Sequence, residues 1–209
     1  MVEYHKIETL YERDEKTKKL IDGKFRNPTV EYLKDNIWQF TEKVDGTNIR
    51  VHWDGHKVEF CGRTDKAQIP NHLQNRLNEL FGGHINEEMF EQKFADKDVM
   101  LFGEGYGLKI QTNGYRDDVD FILFDVMIAG NYQPREVVEE IAQYFKLDVV
   151  PIVLECSIQE AVDYVKNNRK SLIAKNGAEI EGLVGRTKVE TFDRTGHRNI
   201  VKIKYRDFE

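Results

Sequence analysis

Apolar and polar residues alternate with a period of two from residue 48 to residue 60. The apolar positions before the dipeptide Asp54-Gly55 are Ile49, Val51 and Trp53, and those after it are Val58 and Phe60. Strict alternation is typical of a half-buried strand, and Asp-Gly between two such segments favours a tight hairpin turn. The segment is therefore predicted to form two antiparallel strands joined by a two-residue turn.

Helical spacing of apolar residues replaces this alternation in other parts of the chain. Residues 71–81 are predicted to form a helix that Gly82-Gly83 ends, and shorter helices are expected at residues 28–34 and around 89–94. Pro134 is expected to open a helix, since proline is favoured at the first helical position. Ser157 and Glu160 have the spacing of a capping box at the start of a last helix.

Further apolar runs are predicted to be strands, at residues 99–105, 119–129, 149–154, 180–187 and 198–206. Turns are expected at Gly130-Asn131 and at residues 193–196. Most of these strands are connected by turns or by single helices, which favours an α+β fold with antiparallel sheets over a regular βαβ array. No repeat or linker interrupts the chain, so one domain over residues 1–209 is predicted.

Composition and charge narrow the functional classes. The net charge of −6 argues against indiscriminate nucleic-acid binding, although residues 185–206 are rich in lysine and arginine. No apolar run approaches the roughly 18 residues of a membrane span. The N-terminus has no apolar signal-peptide core, and a cytoplasmic protein without membrane association is therefore expected.

The candidate chemistry begins with the pattern Lys-x-Asp-Gly-x-Asn, formed by residues 43–48 between two apolar runs. The amine of Lys43 can attack the α-phosphate of a nucleoside triphosphate and form a phosphoramidate. Glycine lets the backbone turn beside the lysine, and small polar side chains can bind phosphate or metal. Alone the pattern is weak, because it arises by chance in many surface turns.

Four later segments place charged or aromatic side chains inside apolar strands. Glu104 lies in a glycine-rich strand and Glu181 in another apolar run. Phe121 and Asp125 are predicted to share one strand face, as are Lys202 and Lys204. Burying a charge is unfavourable unless it is paired or binds a ligand, so these groups are predicted to converge on one groove.

Taken together, the segments resemble the covalent nucleotidyltransferase superfamily of polynucleotide ligases and mRNA capping enzymes. The order Lys-x-Asp-Gly, Gly-Glu-Gly, Phe-x-x-Phe-Asp, Glu-Gly-x-Val and Lys-x-Lys matches the motif set of the superfamily, over residues 38–205. Within it, the chain looks most like the RNA ligases of the phage RNA ligase 2 type. The resemblance implies an antiparallel-sheet, ATP-grasp-like adenylation domain with flanking helices.

The resemblance also implies roles for individual residues. Lys43 would be the adenylylated nucleophile, Glu104 would bind the ribose hydroxyls, and Phe121 would stack on adenine. Glu42 would help to read the adenine edge, and Glu181 would bind the metal near the α-phosphate. Lys202 and Lys204 would contact phosphates, and Asn48 would support the phosphate and metal arrangement. Arg63, on the strand after the Asp54-Gly55 turn, would contact the AMP phosphate or the nucleic-acid end.

These roles define the expected reaction. An ATP-dependent RNA ligase would use Mg²⁺ or Mn²⁺, transfer AMP to a 5′-phosphate RNA end and join that end to a 3′-hydroxyl. Since a free lysine is protonated at neutral pH, Lys202, Lys204 and the metal are expected to lower the pKa of Lys43.

Three alternatives remain open at the level of sequence: a DNA ligase, a capping guanylyltransferase, and a non-catalytic module that binds nucleic-acid ends. The chain stops five residues after Lys204, where DNA ligases and capping enzymes usually append an OB-fold and phage RNA ligase 2 carries another C-terminal domain. No appended domain is therefore expected. A protein partner in its place, single-stranded RNA ends and DNA ends all stay open as possibilities.

Overall fold

The computed structural model describes residues 1–111, 115–175 and 177–209. The chain divides into two compact units. Unit 1 contains Met1–His5 and Asp45–Val150, and unit 2 contains Lys6–Val44 and Pro151–Glu209. Each unit is discontinuous in sequence and has its own β-sheet and apolar core.

The strands, in chain order, are β1 (Glu8–Thr9), β2 (Tyr11–Arg13), β3 (Leu20–Phe25), β4 (Trp38–Lys43), β5 (Thr47–Trp53), β6 (Val58–Cys61), β7 (Val99–Gly107), β8 (Val119–Ile128), β9 (Asn131–Tyr132), β10 (Asp148–Val149), β11 (Ile152–Cys156), β12 (Gly182–Thr187) and β13 (Ile200–Lys204). The helices are α1 (Pro28–Tyr32), α2 (Asn71–Phe81), α3 (His84–Phe94), α4 (Arg135–Phe145) and α5 (Ile158–Asn167), and a 3₁₀ helix follows β13 at Tyr205–Phe208.

The sheet of unit 1 has the order β10-β8-β7-β5-β6, and β9 pairs with β8. Its pairings are antiparallel except for β10 with β8. Helices α2 and α4 pack on β8, because the apolar stripe of each helix faces the sheet. The core between them includes Leu73, Leu77, Leu101, Phe121 and Leu123.

The sheet of unit 2 has the order β1-β13-β12-β4-β11, and β2 and β3 form a separate hairpin. Strands β13, β12, β4 and β11 pair with one another antiparallel, whereas β1 pairs with β13 in parallel. Helix α5 packs against β11, β12 and β13. The core of this unit includes Trp38, Phe40, Val162, Leu183 and Ile203.

The predicted α+β class with antiparallel sheets is confirmed, and so are the main helices. Helix α5 begins at the predicted capping box, in which Ser157 accepts from the Glu160 backbone and the Glu160 side chain accepts in return. Pro134 is the N-cap of α4, and Gly82 ends α2. Within the part of the chain that the structure describes, no helix is both long and apolar enough to cross a bilayer.

Local predictions were wrong at three places. The apolar run 149–154 is not one strand: β10 ends at Val149, β11 begins at Ile152, and Pro151 between them has no amide hydrogen to donate to a sheet. The turn after β5 spans four residues, because Trp53 pairs with Val58. Strands β1 to β3 lie in the polar N-terminal region, where only a short helix was predicted.

A β-bulge in β8 changes which side chains share a face. Phe102 pairs with Asp125 and Gly103 pairs with Leu123, so Phe124 is the extra residue of the bulge. The bulge shifts the alternation by one position. Phe121 consequently faces the core of unit 1, whereas Asp125 accepts a hydrogen bond from the Tyr4 hydroxyl at 2.8 Å. The predicted common face of Phe121 and Asp125 was therefore wrong.

Candidate active site

Three neighbouring strands of unit 2 bring together four of the predicted site residues. Lys43, the last residue of β4, pairs in register with Gly182 of β12, and Gly182 pairs with Lys204 of β13. Lys202 lies two residues before Lys204 and therefore on the same strand face. Glu181 immediately precedes Gly182, so one carboxylate and three amines occupy the end of the sheet.

The Glu181 carboxylate is shared between two lysines. One of its oxygens accepts a hydrogen bond from Lys43 Nζ, and the other forms an ion pair with Lys204 Nζ. Burial alone would raise the pKa of Glu181, but the two lysines outweigh this effect and hold its pKa below the usual range. Glu181 is therefore a charged carboxylate whose negative charge is neutralised by cations from two different strands.

Lys202 has a lowered pKa. Burial, and after it the neighbouring charges of Lys204, Lys43 and Lys6, lower the pKa of Lys202 to about 8 against the opposing effect of Glu181. Its ammonium group is thus partly deprotonated just above neutral pH. A phosphate group beside it would favour the charged form.

Gly182 allows the two flanking strands to place their lysines on either side of β12. Its φ of +156° is a conformation that other residues rarely adopt, and a Cβ would lie 2.0 Å from the Ile203 carbonyl oxygen. A side chain at this position would push β13 away from β12. The glycine that follows Glu181 is therefore required by the close approach of the backbones.

Unit 1 brings together a second, smaller set of predicted residues. Asn48 of β5 lies directly opposite Glu104 of β7 in the antiparallel register. The loop before Asn48 approaches β7 so closely that a Cβ on Gly46 would lie 2.4 Å from the Gly105 carbonyl oxygen. Gly46 therefore lets the backbone before β5 pass close to the strand that carries Glu104.

Asn48 has an unsatisfied polar atom. Its Oδ1 is buried and has no hydrogen-bond partner among the described residues. Buried polar atoms are normally hydrogen-bonded, and an exception calls for a ligand, ion or water. An amide oxygen is also a suitable ligand for a hard cation such as Mg²⁺.

Phe121 does not fit its predicted role in base stacking. Its side chain is 1% exposed, lies in the core, and packs edge-on against Phe81 with 5.2 Å between ring centroids. Phe124 is partly exposed and lies outside the core cluster, with its ring 5.0 Å from that of Tyr4. The predicted motif contains both aromatic residues, and the family resemblance had implied stacking by the one that is buried.

Glu42 faces away from Lys43, which contradicts its predicted role at the adenine edge. It pairs in register with Leu183 of the core, and its side chain is 1% exposed. One carboxylate oxygen accepts from the Ser171 hydroxyl and the other from Leu172 N at 2.7 Å. Burial raises the pKa of Glu42, against the lowering effect of these hydrogen bonds. The carboxylate thus secures the loop at residues 171–172.

Arg63 lies beyond the strand on which it was predicted. Strand β6 ends at Cys61, and Arg63 is exposed in the bend that follows. The guanidinium of Arg50 holds this bend by donating to Gly62 O at 2.9 Å and to Asp65 Oδ1 at 2.7 Å. Sequence alternation assigned Arg50 to the polar face of β5 and gave no sign of this supporting role.

Among residues 1–111, 115–175 and 177–209, no three His, Cys, Asp or Glu side chains are arranged to hold a metal ion. Each unit offers an oxygen donor that suits a hard cation: the carboxylate of Glu181 in unit 2 and the unsatisfied oxygen of Asn48 in unit 1. Mg²⁺ commonly binds through one or two protein oxygens together with substrate phosphates, so either donor by itself fits such a complex.

A family model described as RNA ligase matches residues 36–204, a range that includes Lys43 and ends at Lys204. The chain belongs to the RNA ligase family. The predicted superfamily resemblance is thereby confirmed. No curated protein matches this RNA ligase family member in sequence.

Solved structures of a Naegleria gruberi RNA ligase share the fold. A variant with ATP and Mn superposes with a TM-score of 0.66 at 19% identity, covering 97% of this chain and 56% of that one. A second variant, with AMP and Mn, gives a TM-score of 0.64 at 19% identity, covering 87% and 53%. The structure with PPi gives 0.64 at 20% identity, with the same coverage of 87% and 53%. This chain spans about half the length of the solved structures that it matches.

Proposed function

We propose that this chain is an ATP-dependent RNA ligase whose first step links AMP covalently to Lys43. The observation that carries the proposal is the cluster at the end of the unit 2 sheet. There, Lys43 and Lys204 share the Glu181 carboxylate, and Lys202 lies on the same face. A nucleophilic amine surrounded by further amines suits a substrate that carries several negative charges.

The proposed reaction has three steps. Lys43 Nζ attacks the α-phosphorus of ATP, the bond from that phosphorus to the bridging oxygen breaks, and pyrophosphate leaves while the amine loses its proton. An oxygen of an RNA 5′-phosphate then attacks the same phosphorus and displaces Lys43. Finally, an RNA 3′-hydroxyl attacks the 5′-phosphate and displaces AMP, which leaves a phosphodiester bond.

The ion pair between Lys43 and Glu181 imposes a condition on the first step. A lysine paired with a carboxylate carries its proton, and an ammonium group has no lone pair for attack. Lys43 must therefore separate from Glu181 and lose a proton before it reacts. The second cation on Glu181, Lys204, keeps the carboxylate neutralised when Lys43 leaves.

A divalent cation, Mg²⁺ or Mn²⁺, would supply neutralisation of the charge that develops on the leaving pyrophosphate. Glu181 is the proposed donor for it, Lys202 and Lys204 would bind phosphate oxygens, and Asn48 is proposed to support the phosphate. Glu104 is proposed for the ribose hydroxyls and Arg63 for a phosphate. Phe124 replaces Phe121 as the aromatic residue proposed to stack on adenine, because it is the more exposed of the two.

The test is self-labelling with ATP that carries a radioactive α-phosphate, in the presence of Mg²⁺. We expect a labelled protein band in the wild type, no label in Lys43→Ala, and full labelling in Lys34→Ala. Lys34 is an exposed lysine of the same unit and is the matched control. Absence of label in the wild type with every nucleotide would favour a non-catalytic binding module, and labelling by GTP alone would favour a capping enzyme.

The nucleic-acid substrate is tested by a second measurement on the labelled protein. RNA 5′-phosphate ends, single-stranded or in a nicked duplex, are expected to remove AMP faster than nicked DNA does. Removal by DNA alone would favour the DNA ligase alternative. The cytoplasmic location, the single domain and a separate protein partner stay predictions.

A further inference from the structure

A groove of about 450 Å³ lies in unit 2, outside the Lys43 cluster. Its walls are the β2–β3 turn, the end of α5 and the 3₁₀ helix that follows β13. That helix begins at Tyr205, the residue after Lys204. The first residue of this helix that lines the groove, Arg206, is two residues after Lys204 at the strand end that carries the proposed phosphate-binding lysines.

The β2–β3 turn that forms one wall is held by its own hydrogen bonds. Asp14 Oδ1 accepts from Lys16 N at 3.0 Å and from Thr17 N at 2.7 Å. Arg13 Nη1 donates to Lys18 O at 3.0 Å, and Lys18 has a left-handed φ of 59°. These contacts fix the backbone from which Lys18 and Lys19 project.

Every acidic side chain that lines the groove is already paired with a cation. Asp207 pairs with Arg13, Asp22 with Lys166 at 2.7 Å, and Glu209 with Arg169 at 3.0 Å.

The charges that remain are all positive. Lys18, Lys19 and Arg206 are exposed and form no ion pair with any residue that the structure describes. In a chain with a net charge of −6, this is a local excess of unpaired cations.

We propose that this groove binds the phosphate backbone of the RNA strand whose end is presented to Lys43. The inference rests on the proposed function and adds to it a site for the substrate strand. Phosphate contacts position a nucleic acid without reading its sequence, and exposed lysines and arginines are suited to that role. Protein partners normally require a buried apolar centre, whereas the apolar lining here is limited to Leu20 and Phe208.

The groove supplies cations from two separate elements, which suits an extended chain of phosphates. Lys18 and Lys19 come from the β2–β3 turn, and Arg206 comes from the 3₁₀ helix. Each phosphate contact releases counterions, so binding should weaken as the salt concentration rises. This salt dependence provides a readout that a general loss of structure would not mimic.

The test compares two double variants with the same change in charge. Lys19→Glu with Arg206→Glu alters the groove, whereas Lys97→Glu with Lys146→Glu alters two exposed lysines of unit 1. The affinity of each protein for a fluorescently labelled, 5′-phosphorylated single-stranded RNA is measured by anisotropy over a range of salt concentrations. Self-labelling with ATP is measured in parallel, because it requires no RNA.

We expect the groove variant to bind RNA roughly tenfold more weakly at physiological salt. The plot of log affinity against log salt concentration should also be shallower by about 0.7 for each cation removed. The control variant should stay near the wild type, and self-labelling should be kept in both. Equal losses in the two variants, or no loss in the groove variant, would overturn the inference. Should the groove variant fail to fold, Lys19→Gln with Arg206→Gln decides by the same criteria. Loss of wild-type self-labelling would instead count against the proposed function.

Discussion

Two buried charges, one in each unit, are neutralised in different ways. The guanidinium of Arg50 in unit 1 is 0% exposed and donates to the carbonyl oxygens of Gly62, Met1 and Val2 as well as to Asp65. Glu181 in unit 2 is 7% exposed, and its partners are the side-chain amines of Lys43 and Lys204. Backbone carbonyls surround one charge, and flexible side chains surround the other.

The difference indicates which charge can take part in a reaction. Carbonyl groups held by the fold cannot leave Arg50 without local unfolding, so its role is to join the N-terminal segment to the bend at residues 62–65. Lysine side chains can rotate away from Glu181 and bind phosphate instead. Glu181, whose partners can exchange, is therefore expected to control activity, and Arg50, whose partners are fixed, is expected to control stability.

Replacing Arg50 tests the stability half of this comparison and should have the largest effect. In Arg50→Met, the carbonyl oxygens of Met1, Val2 and Gly62 lose their donor, and we expect the free energy of unfolding to fall by roughly 3 kcal/mol. Urea denaturation of the full chain measures it. The control Arg63→Ala removes an exposed guanidinium and should change the value by less than about 0.5 kcal/mol. Equal effects of the two substitutions would refute the assignment.

Replacing Glu181 tests the activity half. We expect Glu181→Gln to reduce the rate of self-labelling by roughly 100-fold, the scale seen when one preorganised electrostatic group is removed from a site. The neutral amide keeps the shape of the side chain but cannot hold two ammonium groups together. A rate within a few-fold of the wild type would show that the shared carboxylate is dispensable.

The difference in stability between the wild type and the same variant has a defined dependence on pH. The pKa of Glu181 is lowered in the folded protein, so its stabilising contribution is present above the unfolded value of about 4.3. This contribution disappears as the pH falls through the lower folded value. The difference in unfolding free energy between wild type and Glu181→Gln should therefore narrow on acidification below the unfolded value.

Lys202 is expected to have a smaller effect, on the pH dependence of self-labelling, and this tests a second charged group of unit 2. With a pKa of about 8, it loses its charge as the pH rises through that value, and phosphate binding should weaken. We expect kcat/KM for ATP in self-labelling to show an alkaline decline, reaching up to about tenfold one unit above the pKa. In Lys202→Arg this decline should be absent, because arginine stays protonated. An unchanged profile would assign the decline to another group.

Local periodicity predicted the helices α2, α4 and α5 because each has an apolar face, and α5 has a capping box as well. The order of the charged motifs likewise predicted that Lys43, Glu181, Lys202 and Lys204 would meet. Strand alternation also contained the information that Glu42 and Lys43 face opposite ways, although the family resemblance had suggested otherwise.

The remaining features depend on contacts between residues distant in sequence. No local signal places the bulge at Phe124, which reverses the facing of Asp125 relative to Phe121. Arg50 is buried because the N-terminal segment and the bend at residues 62–65 cover it. The residues next to Arg50 in sequence give no sign of either contact. Strand β1 pairs with β13, and β2 pairs with β3, in a polar segment that has no strand periodicity. These short pairings likewise depend on tertiary contacts.

The placement of Lys204 on β13, the final strand of the described chain, has a consequence during synthesis. The strand that completes the cationic surroundings of Lys43 is translated more than a hundred residues after Lys43 itself. A nascent polypeptide that has not reached residue 204 carries the nucleophile without its partners. The site can therefore become competent only after residue 204 has been translated, and products that stop before it are expected to stay inert towards cellular ATP.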